Sequence, residues 1–187
     1  MKRFLIIVLL LCGPAYCLAQ DTFTEFQGYY QRVQGFDFNS GTSQFAFKGA
    51  SMNGGGFGFV FGLSPKFGFF QRTSFFGGVE QSGLTMRVIS EVQGVQLMRE
   101  AGPFDFYAKG GLGFNRWVFE EFGSTTGVDY GMALVYGGGA EAKLKEGTYL
   151  VLEATRMTTG LPNISGLPGR SKWDSSWLIT TGIAFRF

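Results

Sequence analysis

Apolar residues recur at every second position along much of this chain, and the longest such stretch runs from Val128 to Leu144. Tyr130, Met132, Leu134, Tyr136, Gly138, Ala140, Ala142 and Leu144 share one parity, whereas Asp129, Gly131, Ala133, Val135, Gly137, Gly139, Glu141 and Lys143 share the other. Successive side chains of a strand point to opposite faces, so a period of two predicts strands with one fatty face and one small or charged face. Phe104 to Trp117 divides in the same way, and so does Trp177 to Phe187.

Eight such segments are predicted, at about 22–33, 50–62, 67–77, 84–98, 104–117, 128–143, 148–159 and 175–187. Their connections alternate. The stretches 63–66, 99–103 and 145–147 are short, while 34–49, 118–127 and 160–174 are long and 78–83 is intermediate. An even strand number with short turns at one end and longer loops at the other is the pattern of an all-β, antiparallel, up-and-down transmembrane barrel. The polar parity is dominated by Gly and Ala with sparse charges, which suits a narrow lumen filled by side chains better than a face in water. Glu91, Asp105, Lys109, Glu141, Lys143, Glu153 and Arg186 are the expected lumen charges, and burial there demands opposite-charge partners. In the fourth segment the parity carrying Met86 and Val88 changes near Gly94, and a bulge at Gly94 would restore it.

Aromatic residues should gather where strands cross the membrane interfaces. With odd strands running outward, Tyr30, Trp117, Tyr130 and Trp177 fall near the outer rim, and Phe185 and Phe187 near the inner one. Trp117 does so with lumen parity. Phe36, Phe38, Phe119 and Phe122 fall in the outer loops as possible contact residues, and Phe45 and Phe47 share parity with the second strand and would extend it.

The chain opens with Met1-Lys2-Arg3, the apolar run Phe4 to Leu11, and Cys17-Leu18-Ala19 before Gln20. That arrangement predicts a cleaved secretory signal over 1–19, followed by one barrel domain over 20–187. The apolar run is too short for a helical span, which needs about 20 residues. Both cysteines, Cys12 and Cys17, lie within the signal, so the exported chain has neither disulfide nor thiolate ligand. Losing Lys2 and Arg3 from the 16 basic residues leaves 14 against 14 acidic ones, a balance that gives no reason to expect nucleic acid as a partner. The 30 glycines and 22 phenylalanines disfavour helices.

Thr24-Glu25-Phe26-Gln27-Gly28-Tyr29-Tyr30 resembles an opening E-x-x-G-G-Y-S-Y strand with one glycine replaced. Together with Met132 to Leu144 and the ending Thr181-Gly182-Ile183-Ala184-Phe185-Arg186-Phe187, it makes the chain similar to the small outer-membrane β-barrels of the opacity-type and OmpA-like membrane-domain family. The resemblance covers most of the chain beyond the signal. It implies an integral outer-membrane location, contact with outer-membrane lipid, and recognition of the last strand by the barrel-assembly machinery.

No histidine occurs anywhere, which removes His-assisted serine nucleophiles and imidazole-ligated zinc. Neither catalytic residues, nor a cofactor, nor a metal site is expected. Gly54-Gly55-Gly56-Phe57-Gly58 lacks the Lys-Ser or Lys-Thr of a phosphate loop and reads as strand glycine, and Asn163-Ile164-Ser165 reads as a polar loop. Three functional expectations follow: a non-enzymatic structural or surface-interaction barrel acting through its outer loops on an unnamed extracellular ligand, a narrow channel for ions or small solutes, or a soluble periplasmic ligand-binding barrel.

Overall fold

A computed structural model describes residues 22–39, 46–81, 84–121, 123–160 and 173–187. The expected signal, Phe45, Phe122 and the sequon at 163–165 lie outside them. The described chain forms eight strands: β1 (Phe23–Asn39), β2 (Ala46–Ser64), β3 (Phe67–Gln81), β4 (Leu84–Ala101), β5 (Phe104–Glu121), β6 (Ser124–Lys145), β7 (Thr148–Gly160) and β8 (Trp173–Arg186). Each pairs antiparallel with the next, and β8 pairs with β1, so the sheet closes and no strand edge is left open. The seam is secured at its last rung: Phe187 N–H donates to the Thr24 carbonyl at 2.8 Å, and Thr24 N–H to the Phe187 carbonyl at 3.2 Å.

That seam lies at the same end as three tight connections, Pro65-Lys66, Gly102-Pro103 and Glu146-Gly147. Gly102 and Gly147 have φ of +65° and +67°, a left-handed conformation that a Cβ disfavours, and each lets its strand reverse within two residues. This is the turn end of the barrel. The opposite end, the loop end, is reached by strands longer than the alternation predicts. β1 and β2 run on through Phe36, Phe38 and Phe47, β3 and β4 nearly meet at Gln81 and Leu84, and β5 and β6 close to Glu121 and Ser124. The expected outer loops at 34–49, 78–83 and 118–127 are therefore mostly paired strand.

The reason lies inside. Val33, Met52, Phe76, Met86, Val88, Trp117, Phe119, Met157 and Leu178 are buried and belong to one apolar cluster in the loop-end half of the lumen. Its large side chains bind opposite walls together and carry the ladders past the point where the outward face stops being apolar. The same filling overturns the expected bulge at Gly94. Pairing of β4 with β5 runs without a shift from Leu84↔Glu121 to Ala101↔Phe104, and no shift interrupts its pairing with β3 at Gly94↔Phe70. Met86 and Val88 face the lumen while Val95 and Leu97 face outward, so the strand changes its composition rather than its phase. Gly94 serves close approach instead, since a Cβ there would lie 2.5 Å from the Gly111 Cα on β5.

Candidate functional site: the lumen and the outer belt

The turn-end half of the lumen is polar, and its buried charged side chains are all paired. Glu153 on β7 stands at its centre. Arg72 on β3 donates to it twice, at 2.6 and 3.1 Å, the Tyr107 hydroxyl donates at 2.9 Å, and Lys109 forms a second ion pair with the same carboxylate. The Arg72 guanidinium also lies 4.5 Å from the centre of the Tyr29 ring, and the Lys109 ammonium 4.9 Å from that of Phe70. Nearer the turn end, Arg186 on β8 holds three carboxylates: Glu25 at 2.9 Å, Asp105 at 2.8 Å and Glu141 at 2.7 Å. Gln27 joins the two groups. Its amide nitrogen donates to Glu25 at 2.7 Å and Glu141 at 3.3 Å, and its oxygen accepts from Arg72 at 3.1 Å.

Space for these side chains comes from glycine on the facing strands. A Cβ on Gly56 would sit 2.9 Å from the Tyr29 hydroxyl oxygen, and one on Gly139 would sit 2.7 Å from that of Tyr107. The glycine run of β2 therefore makes room for a ring, and no phosphate cradle is formed. Four acids (Glu25, Asp105, Glu141, Glu153) face three bases (Arg72, Lys109, Arg186), each salt-bridged within the lumen. Above them the apolar cluster fills the other half. Eight strands enclose a narrow bore, and these two layers of side chains occupy most of it.

Sequence parity places Asp105, Lys109, Glu141, Glu153 and Arg186 in this network. It misplaces two residues. Glu91 is exposed on the outward face, because the lumen parity of β4 is that of Met86, Ser90 and Met98. Lys143 keeps lumen parity but lies beyond Glu141 toward the Glu146-Gly147 turn and is exposed at the rim. Three members were missed: Glu25, Gln27 and Arg72. The first two alternate with Tyr29, Gln31 and Val33, a legible signal; Arg72 is flanked by the inward rings of Phe70 and Phe76, which hide the alternation of β3.

The outer surface carries what the lumen lacks. Phe26, Phe57, Phe61, Phe69, Phe75, Phe104, Phe106, Leu112, Leu134, Leu152, Ile179 and Phe185 are all exposed, forming an apolar belt around the barrel. Tyr30, Tyr130 and Trp177 are exposed on the outward face, and Phe187 is exposed at the turn end. Trp117 does not: it is fully buried in the lumen cluster, where its parity put it. Phe119 likewise is a core residue, 3% exposed, rather than a loop contact. Phe36 and Phe38 lie on β1, paired with Ala50 and Phe47, and Phe122 lies outside the described residues. No helix among the described residues is long and apolar enough to cross a membrane, and no group of acidic, histidine or cysteine side chains among them could hold a metal.

With a salt-bridged layer and an apolar layer inside, an apolar belt outside and a seam that closes the sheet, the chain differs in layout from a soluble barrel. Its fold is that of the small eight-stranded outer-membrane barrels. Neisserial surface protein A matches with a TM-score of 0.63 over 89% of this chain and 97% of its own, at 11% identity. Ail of Yersinia pestis, solved with the heparin analogue sucrose octasulfate, matches at 0.56 over 90% and 100%, with 15% identity. The N-terminal β-barrel domain of Pseudomonas aeruginosa OprF matches at 0.55 over 89% and 98%, with 13% identity. No protein-family profile and no curated protein matches the sequence.

Proposed function

We propose that this chain is an integral outer-membrane barrel with a non-enzymatic structural or surface-interaction role, exerted through its loop end. The observation that carries the reading is the contrast between a filled lumen and an apolar belt. Hydrocarbon accepts such a belt because every backbone polar group is satisfied within the closed sheet. Water does not accept it, and a soluble periplasmic barrel would turn those phenylalanines inward.

The filled lumen disfavours a channel, so function falls to what projects beyond the belt: the paired extensions of β1–β2 and β5–β6 and the segments joining them. Charges there are of both signs, with Arg87 and Glu120 paired at 3.2 Å, so this surface lacks the one-sided charge that would favour a sulfated ligand such as the one bound to Ail. The belt would contact outer-membrane lipid, and the β8 ending would be the segment read by the assembly machinery.

Membrane fractionation combined with heat-modifiability on a gel tests the location. We expect a salt-resistant envelope protein whose mobility changes on boiling, and recovery free in the periplasm would refute the reading. Replacing 40–45, between β1 and β2, with a short Gly-Ser linker should abolish binding of cells or vesicles to the surface the protein contacts while keeping both paired strands.

A further inference from the structure

The outward face of β3 and β4 carries a polar patch among apolar neighbours. There Gln71 pairs across the ladder with Gln93, and Thr73 with Glu91. Gln71, Gln93 and Glu91 are exposed. Apolar side chains surround the patch: Phe69 and Val95 toward the turn end, Phe75 and Ile89 toward the loop end, Phe57 and Phe59 on β2, Leu112 and Phe114 on β5. At comparable positions the described parts of the other strands present mostly Leu, Ile, Phe, Tyr, Ala, Gly or Thr, and Arg156 on β7 lies against the Trp177 ring. Among the described residues the three polar side chains make no hydrogen bond or ion pair, and Arg116, the nearest cation on β5, pairs across the ladder with Ile89. Acyl chains offer them no partner, and polar groups left there are costly.

We infer that this patch is a self-association surface inside the membrane, occupied by the same patch of a second copy. The argument for that occupant is complementarity. Insertion gives every copy the same direction and depth, so two copies related by a two-fold axis along the membrane normal bring like residues to the same height. The glutamine amides supply N–H donors, and the glutamine carbonyls and the Glu91 carboxyl supply acceptors, so the patch satisfies its own image. A polar centre within an apolar rim is also what association in lipid favours, where interhelical and intersheet contact gains nothing from apolar burial alone.

The inference rests on the barrel spanning a membrane, and the experiment separates the two. Residues 20–187 contain no cysteine, so in a protein comprising them Thr73→Cys on β3 and, as a control away from the patch, Leu134→Cys on β6 are introduced singly and the proteins reconstituted in phospholipid vesicles. A bismaleimide should yield a dimer of twice the mass from T73C and not from L134C. Adding Q71L and Q93L to T73C should lower the crosslinked fraction by on the order of tenfold while heat-modifiability stays unchanged. Monomer only, equal crosslinking at both sites, or crosslinking indifferent to Q71L and Q93L would overturn the inference. So would capture of a different protein at T73C in native outer membranes. A chain that fails to enter vesicles would instead refute the membrane reading itself.

Discussion

Glu153 is the residue on which the lumen network turns, and its replacement by Gln is the sharpest test of the network. Glu153→Gln keeps the size but only one acceptor oxygen, turns the other into an N–H donor, and leaves Arg72 and Lys109, both buried, without a counter-charge. Breaking a buried pair by removing one partner costs about 3–5 kcal/mol, because the other charge stays buried. Here two cations depend on one carboxylate, so the upper half of that range is expected. With a urea dependence of about 2 kcal/mol per M, the unfolding midpoint in vesicles should fall by roughly 2 M. Arg72→Met, Lys109→Met and Glu153→Leu made together remove all three charges and should recover most of the loss, since well-packed apolar groups can replace a buried ionic cluster. The exposed Arg87–Glu120 pair is the internal control, and Glu120→Gln should cost less than about 1 kcal/mol. A Glu153→Gln midpoint within about 0.5 M of the parent, in reversible unfolding, would refute the idea that this carboxylate holds the lumen together.

Other outcomes follow from the same geometry. Trp117→Ala opens a cavity in the loop-end cluster and should cost about 3–5 kcal/mol, read from the same urea curves. In single-tryptophan variants, brominated lipid should quench Trp177, which is exposed on the belt, and leave Trp117 unquenched within the lumen. Planar bilayers containing the parent protein should show no steady conductance, and Trp117→Ala should not create one, because the Arg72–Glu153 and Arg186–Glu141 bridges still seal the turn-end half. Deleting Phe187 should reduce assembly in cells more than refolding in vesicles, since it removes one rung of the seam and the end of the strand offered to the assembly machinery.

The eight strands, their order and the inward set from Asp105 to Arg186 are legible in the sequence because the turn-end half has one fatty face and one polar face. The loop-end half is not legible in that way. Met86 and Val88 on β4, Trp117 and Phe119 on β5, and Phe76 on β3 are apolar and inward, so both faces of those strands are fatty and the period of two fades. This sends Glu91 to the wrong side, invents a bulge at Gly94 and makes a loop contact of Phe119. Trp117 shows the opposite case, in which parity and residue type disagree and parity is right. The outward position of Glu91 is meaningful only once the lumen side of β4 is known.

The seam between β1 and β8 also governs when the molecule can exist. Arg186 bridges to Glu25 across a separation of 161 residues, and Phe187 bonds to Thr24. These contacts join almost the first strand residue to the last, so the ring has no stable partial version with one wall missing: an unclosed sheet would show bare edges on both sides and a half-paired lumen. Closure by such distant partners is intrinsically slow. The polypeptide must therefore be complete, and still open, when it reaches its membrane, and folding and insertion become a single event.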